Sequence, residues 1–123
     1  MTGYLQLAER LAGSDGARYA QAWNFGPDGR NDATVTVVAH LLAGMWGPGA
    51  AVVHASSESN PHEADTLRLD SSRACRDLGW HPRWSLHEGL ERTIAWYRAW
   101  DRREDMADVS ARQIAEYFSA AQL

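Results

Sequence analysis

The sequence predicts an α/β fold, a small and mostly helical lobe with about three short strands. Apolar residues recur with helical spacing in several stretches. Short runs rich in β-branched and aromatic residues lie between them, and clusters of Gly, Pro, Asp and Asn separate the two kinds of segment. Because strands this few and brief cannot form a large buried sheet, we expect the lobe to pack against a further structure.

The N-terminal part of the chain predicts one helix followed by one strand. Apolar residues spaced i, i+3, i+4 and i+7 predict a helix over 3–11. The Gly-rich run 13–16 ends this helix. A strand is expected at 22–25, and the turn cluster at 26–29 closes it.

Residues 32–47 have an ambiguous pattern. The Thr- and Val-rich run 34–38 has the composition of a strand, but the apolar spacing over the whole stretch is helical. The Gly-Pro-Gly sequence at 47–49 is a typical helix stop. We therefore predict a helix, with Asp32 or Thr34 near its N-cap.

The middle of the chain predicts two more strands and a short helix. The strands are expected at 51–54 and 66–69. Asp70 or Ser71 is positioned to cap the helix that follows. Gly79 is positioned to end it, because glycine readily adopts the left-handed conformation found after helix ends.

Two further helices are predicted toward the C-terminus. Ser85 and Glu88 form a capping-box pattern, in which each side chain satisfies a free backbone N–H near the other. A second possible capping box at 110–113 predicts the start of the last helix. Behind the first box lies an apolar stripe about four turns long, made of Leu86, Leu90, Thr93, Ile94, Tyr97 and Trp100.

Length and composition predict one folded domain. The 123 residues fit a single lobe over 1–123, with a core at about 3–104 and a helical extension over 105–123. The net charge of −4, with both signs interspersed, lacks the basic footprint of a nucleic-acid binder. No signal peptide is expected, and no apolar run approaches the ~20 residues of a membrane span. The single Cys75 fits a reducing compartment, so a cytoplasmic location is predicted.

Several catalytic motifs are absent from the sequence. The ten Gly residues form neither Gly-x-Gly-x-x-Gly nor Gly-x-x-Gly-x-x-Gly, the fingerprints of a dinucleotide site. Gly-x-Ser-x-Gly, Cys-x-x-Cys, His-Glu-x-x-His and the P-loop are also missing. The five His residues show no metal-ligand spacing, so no metal site is expected.

One stretch carries a recognisable order of motifs. Residues 60–84 read Asn-Pro-His-Glu-Ala-Asp-Thr-Leu-Arg-Leu-Asp-Ser-Ser-Arg-Ala-Cys-Arg-Asp-Leu-Gly-Trp-His-Pro-Arg-Trp. Their second half is similar to Asp-x-x-Lys-Ala-x-x-x-Leu-Gly-Trp-x-Pro, with Arg73 in place of the Lys. Trp-Asn-Phe-Gly-Pro at 23–27 and Thr-x-x-Trp-Tyr at 93–97 fit the same pattern. From residue 3 to about residue 118, the chain resembles the C-terminal lobe of extended short-chain dehydrogenase/reductase enzymes acting on nucleotide sugars, most closely the CDP-glucose 4,6-dehydratase family.

The resemblance implies a substrate-binding lobe that lacks the Rossmann domain. Enzymes of this kind use NAD and a Tyr-x-x-x-Lys pair for the sugar chemistry. All twelve basic residues of this chain are Arg, so that pair cannot be present. We therefore expect no catalytic residue here and no cofactor bound by this chain alone, with NAD held by the remainder of a complete enzyme.

The resemblance also implies substrate-binding residues in the polar loop. By position, Glu63 is the residue that holds the ribose hydroxyls, since a carboxylate can accept two hydrogen bonds from a vicinal diol. His62 fits the Pro-His-Glu-Ala version of the loop found in the CDP-glucose branch. Asn60 stands where several relatives have Arg, so a diphosphate contact is expected from Arg68, from Arg30 or from the missing half.

Each of these residues also has a structural interpretation. A polar loop containing Glu and His is commonly solvated surface. The motif after Asp70 is expected to be architectural, with Trp80 burying its ring beside the helix end. Asn24 is a possible contact of the sugar nucleotide, but satisfying backbone groups at a strand end is favoured. Cys75 is expected to be a buried structural thiol.

The predicted function is the nucleotide-sugar-binding portion of a CDP-glucose 4,6-dehydratase-like enzyme. Its expected partners are a CDP-glucose-like nucleotide sugar and either the missing Rossmann half or a second copy of the chain, with no nucleic acid and no membrane. One alternative is a small α/β interaction or oligomerisation module that pairs with a separate Rossmann subunit. The other is a truncated remnant that folds but binds nothing.

Overall fold

Helices make up the regular structure of the described chain. The computed structural model describes residues 2–27, 33–53 and 69–120. A 3₁₀ turn at Gly16–Tyr19 and a π-helical turn at Ala74–Leu78 connect the longer elements. The four α-helices are α1 (Thr2–Leu11), α2 (Val35–Trp46), α3 (Leu86–Asp101) and α4 (Met106–Ser119).

The predicted α/β fold with about three strands is wrong, because no strand occurs within residues 2–27, 33–53 and 69–120. The predicted strand at 22–25 is irregular backbone, and so are residues 51–53 of the second one. Residue 54 and most of the third predicted strand (66–69) lie outside the described residues. A strand requires a paired backbone as well as a suitable composition, and side-chain hydrogen bonds replace such pairing where segment 22–27 meets segment 69–71.

Helix α1 confirms the prediction for residues 3–11 and packs over the best-buried cluster. This cluster consists of Tyr19, Ala74, Leu78 and Trp80, each at most 8% exposed. Leu7, Trp23 and Phe25 pack against it. The rings of Phe25 and Trp80 meet edge-on, with 5.2 Å between their centroids. This geometry adds a favourable aromatic interaction to the free energy gained by burying the rings.

Helix α2 resolves the ambiguity of residues 32–47 in favour of the predicted helix. Thr34 is the N-cap, and its hydroxyl accepts a 3.3 Å hydrogen bond from the Val37 N–H. At the other end, the Arg98 guanidinium of α3 donates to the carbonyls of Met45 and Trp46. This contact satisfies two of the free carbonyls at the helix end, and so ties α2 to α3.

The short helix predicted after Asp70 is a π-helical turn. Its N-cap position is Arg73, with no side-chain cap, rather than the predicted Asp70 or Ser71. The Asp70 carboxylate instead accepts a 2.9 Å hydrogen bond from the Ser72 N–H, just before the turn. Gly79 ends it with a positive φ of 66°, as predicted, and the Trp80 N–H then donates to the Ala74 carbonyl at 3.1 Å. Trp80 is 8% exposed, so the expected burial of its ring is confirmed.

The predicted capping box of α3 is confirmed. The Ser85 hydroxyl accepts from the Glu88 N–H at 3.2 Å, and the Glu88 carboxylate accepts from the Ser85 N–H at 2.8 Å. The backbone and side-chain hydrogen bonds from Ser85 lower the pKa of Glu88 below its ordinary value of 4.5. The box therefore uses the ionised carboxylate.

The apolar stripe of α3 is buried only in part. Ile94 is 8% exposed, whereas Tyr97 and Trp100 are 50% and 61% exposed. Helices α2 and α4 both pack against α3, yet part of the stripe stays open to solvent. Trp96, adjacent to the stripe, is half-buried and donates its indole N–H to the Ser110 hydroxyl of α4 at 3.1 Å.

Helix α4 begins earlier than predicted. Its N-cap is Asp105, whose carboxylate accepts from the N–H groups of Ala107 and Asp108 at 2.9 and 3.3 Å. Ser110 lies inside the helix, so the predicted capping box at 110–113 is wrong. The Ser110 hydroxyl instead accepts the hydrogen bond from Trp96, and the start of the helix is set five residues upstream.

The two ends of the described chain meet at Thr2. Its hydroxyl lies 3.0 Å from the Tyr117 hydroxyl of α4 and accepts a 3.3 Å hydrogen bond from the Trp80 indole N–H. Nearby, the Arg83 guanidinium donates to the carbonyls of Phe118 and Ala120 at 3.0 and 2.8 Å. Helices α1 and α4 are therefore held together around Trp80. The division into a core and a C-terminal extension stays a prediction.

Candidate functional site

Two irregular segments, 22–27 and 69–71, lie side by side and form one wall of the candidate site. The Asn24 side-chain amide donates to the Asp70 carbonyl at 3.4 Å, and the Gly26 N–H donates to the Ser71 hydroxyl at 2.9 Å. A Cβ at position 26 would lie 3.0 Å from the Leu69 Cβ. Glycine therefore permits the close approach of the two segments.

A cavity of about 570 Å³ opens between these segments and the π-helical turn. We call it the Asp70 cavity. Its walls combine hydroxyl, carboxylate, thiol, guanidinium and imidazole groups with apolar surface, a mixture that suits a polar organic ligand. The lining residues are Pro27, Leu69, Asp70, Ser71, Ser72, Cys75, Arg76 and His81.

Charged groups around the Asp70 cavity are already engaged with protein partners. Hydrogen bonds from Ser72, reinforced by nearby Arg73 and Arg76, lower the pKa of Asp70 below 3.8, so Asp70 is an ionised acceptor at neutral pH. The Arg76 guanidinium makes two hydrogen bonds to Asp77, at 2.7 and 3.1 Å. That pairing lowers the pKa of Asp77 and offsets the positive charge of Arg76. The described walls thus favour hydrogen bonding over neutralisation of a diphosphate.

Arg73 has a structural role in this wall. Its guanidinium donates to the Ala22 carbonyl at 3.1 Å and to the Gln21 side-chain oxygen at 3.2 Å. These bonds hold segment 22–27 against the π-helical turn. Arg73, which replaces the Lys of the related pattern, therefore has a structural role here, as expected for this motif.

The predicted substrate-binding residues lie outside the described residues. Arg30 falls in segment 28–32, and segment 54–68 contains the other four, which are Asn60, His62, Glu63 and Arg68. Their assignment stays a prediction. The residues next to these segments are described, and Pro27 and Leu69 both line the Asp70 cavity. The described residue before segment 28–32 and the described residue after segment 54–68 therefore belong to the wall of one cavity.

Two further sequence expectations have structural outcomes. The Asn24 side chain bonds a backbone carbonyl, as favoured, but it is exposed and no strand ends there. Cys75 is only half-buried and lies in the cavity wall, so the prediction of a buried thiol was wrong. Its exposure follows from the position of the π-helical turn at the edge of the cluster around Trp80.

Sequence reasoning did not find Ser72, Arg76 and His81 as neighbours around one cavity. The spacing of these residues gives no signal for it, because they come together only when the π-helical turn packs beside segment 22–27. In the described part of the chain, no three His, Cys, Asp or Glu side chains are grouped closely enough to hold a metal ion. None of the described helices combines the length and apolarity that crossing a bilayer requires.

No protein-family model matches the chain, but comparison with known proteins finds a similar sequence. The chain is 42% identical over 120 residues to CDP-glucose 4,6-dehydratase from Salmonella typhimurium strain LT2. The alignment covers 98% of this chain and 33% of the relative, so the chain spans about a third of the relative's length. The resemblance inferred from the sequence motifs is confirmed, and the extent of the match is consistent with the C-terminal part of such an enzyme.

Proposed function

We propose that this chain forms the nucleotide-sugar-binding part of a CDP-glucose 4,6-dehydratase-like enzyme, without the catalytic and NAD-binding half. The observation that carries the proposal is the 42% identity along 98% of the chain. Such identity over nearly every residue reaches well beyond the Leu-Gly-Trp-x-Pro motif. It therefore supports a common use of the polar loop as well as a common architecture.

The geometry around the Asp70 cavity supports this proposal. Pro27 and Leu69 line the cavity, and in the sequence they adjoin segments 28–32 and 54–68, which carry the candidate ligand-binding residues. The cavity volume of about 570 Å³ lies within the range of small-molecule sites. Hydroxyl and carboxylate groups at Ser71 and Asp70 offer hydrogen bonds to a sugar or ribose.

Glu63 has the central role in the proposed recognition. Its carboxylate accepts hydrogen bonds from the two ribose hydroxyls, and His62 supports the same end of the ligand. Asn60 carries no charge, so neutralisation of the diphosphate falls to Arg68, Arg30 or the other part of the enzyme. The cavity walls support that division, because Arg76 is already paired with Asp77.

The remaining two thirds of such an enzyme would supply the chemistry. NAD, when bound there, provides the hydride transfer at the sugar. This chain has no Lys and no glycine-rich phosphate fingerprint, and so does not fit that cofactor. Its own residues would bind and orient the nucleotide sugar at one side of the cleft, against the NAD-binding half as partner.

Calorimetric titration of the chain with CDP-glucose, CDP and CMP tests the proposal. We expect weak binding, because half of the pocket is missing, and loss of detectable binding in Glu63→Ala. Glu58→Ala is the matched control, since it removes a carboxylate from the same polar run and should leave the affinity unchanged.

Two results would count against this assignment. Equal affinity of wild type and Glu63→Ala would remove Glu63 from the ribose site. A folded chain that binds none of the three ligands at millimolar concentration would favour the interaction module or the remnant.

A further inference from the structure

His81 differs from the charged residues of the Asp70 cavity in that the protein itself does not use its side chain. The imidazole lines the cavity, is exposed, and makes no hydrogen bond or ion pair to the residues that the structure describes. By contrast, the Asp70 carboxylate accepts from the Ser72 N–H at 2.9 Å, and Asp77 holds the Arg76 guanidinium. A neutral imidazole has one N–H donor and one nitrogen acceptor, so His81 offers both kinds of hydrogen bond to a ligand.

The sequence neighbours of His81 fix its place in the cavity wall. Trp80, immediately before it, is 8% exposed and donates its indole N–H to the Thr2 hydroxyl at 3.3 Å. Pro82, immediately after it, restricts the preceding residue to an extended backbone. The backbone of His81 is therefore held before any ligand arrives, which lowers the entropic cost of binding there.

The described charges around the cavity balance one another. Asp70 and Arg76 are the charged lining residues, and Asp77 and Arg73 lie close to them. Asp77 pairs with the Arg76 guanidinium, and the Ala22 carbonyl accepts from Arg73 at 3.1 Å. These residues have no surplus positive charge for a diphosphate, whereas a sugar hydroxyl needs only hydrogen bonds.

We propose that the Asp70 cavity receives the uncharged sugar end of the nucleotide sugar, and that His81 sets the preference for it. This assignment rests on the proposed function, and adds to it the end of the ligand that enters the cavity. The His81 imidazole donates to one sugar hydroxyl and accepts from another, and the Asp70 carboxylate accepts from a third. The Ser71 hydroxyl accepts from the Gly26 N–H at 2.9 Å and keeps its own proton to donate. The diphosphate stays outside the cavity.

The affinity ratio between CDP-glucose and CDP tests this assignment, because CDP-glucose carries the sugar and CDP does not. In NMR titrations of the ¹⁵N-labelled chain, the wild type should bind CDP-glucose about 10-fold more tightly than CDP. His81→Phe should reduce this ratio to about 1 and leave the affinity for CDP unchanged. His81→Gln keeps a donor and an acceptor, and should retain part of the preference.

Two control variants locate the effect. His87→Phe replaces an exposed histidine of α3 whose Nε2 lies 3.4 Å from the Glu91 Oε1, and should leave the ratio unchanged. His81 also borders a second cavity, of about 290 Å³, whose wall includes Glu9. Glu9→Gln should likewise leave the ratio unchanged, because the sugar is bound in the Asp70 cavity.

Failure of this assignment is distinguishable from failure of the proposed function. A wild type that binds neither ligand would overturn both. Equal affinity for the two ligands would support nucleotide recognition and overturn the sugar assignment. So would a His81→Phe variant that keeps the preference or weakens both ligands alike, and so would loss of the preference in Glu9→Gln.

Discussion

Two glycines in helices occupy opposite environments. Gly3 is buried in α1, and a Cβ there would come within 2.8 Å of the Phe25 ring carbon Cγ. Gly89 lies in the first turns of α3 and has nothing within 4 Å of the corresponding position. Gly3 therefore serves close packing, while Gly89 carries only the entropic penalty of glycine in a helix.

The same substitution should have opposite effects at these two positions. Gly3→Ala should lower the free energy of unfolding by about 1–3 kcal/mol, because the methyl group overlaps Phe25 in the packed cluster. Gly89→Ala should raise it by about 0.5–1 kcal/mol through better helix propensity. Guanidinium unfolding followed by circular dichroism measures both. Equal changes at the two positions would contradict the packing of Phe25 against α1.

At the scale of single elements, the helix caps were the most predictable features. The Ser85–Glu88 box was predicted, and Thr34 was one of two N-cap candidates for α2, because a cap depends on residues within one turn of each other. The start of α4 was misplaced, since Ser110 fits a cap pattern but is used by Trp96 of another helix. The strand predictions were also wrong because of a distant contact, since a strand forms only when it pairs with a segment that can lie far away in the sequence.

Stability should depend on pH through the box at the start of α3. The Ser85 hydrogen bonds lower the pKa of Glu88 in the folded chain below 4.5. The ionised carboxylate therefore stabilises the fold fully above that value, and its contribution is lost as the pH falls through the lowered pKa. Because Glu88→Gln keeps a hydrogen-bonding side chain that does not titrate, its unfolding midpoint should fall less than that of wild type between pH 6 and 3. Parallel curves for the two proteins would contradict this role of the carboxylate.

On the scale of the whole molecule, the features that the sequence patterns could not predict are contacts between residues far apart in the chain. The burial of Trp80 was expected from its motif, but its hydrogen bond to Thr2 joins residues that no local pattern relates. The Asp70 cavity arises in the same way from segments far apart in the sequence. Glu63, in contrast, is assigned by resemblance alone, and its place in the site stays a prediction.

A double-mutant cycle should detect the contact between the ends of the fold. The Thr2 and Tyr117 hydroxyls lie 3.0 Å apart, so Thr2→Val and Tyr117→Phe should show a coupling energy of about 0.5–1.5 kcal/mol in urea unfolding. Thr2→Val combined with Ser110→Ala is the control. The Ser110 hydroxyl bonds Trp96 instead, so this second pair should be additive. Additivity in both pairs would mean that the hydroxyl contact contributes no stability.

The meeting of Thr2 with Tyr117 has a mechanical consequence. Tethers attached at residues 2 and 117 would apply force at neighbouring points instead of across the length of the fold. Pulling would load the hydrogen bonds among Thr2, Tyr117 and Trp80 first, so the ends of α1 and α4 would separate before the rest of the fold carried the force.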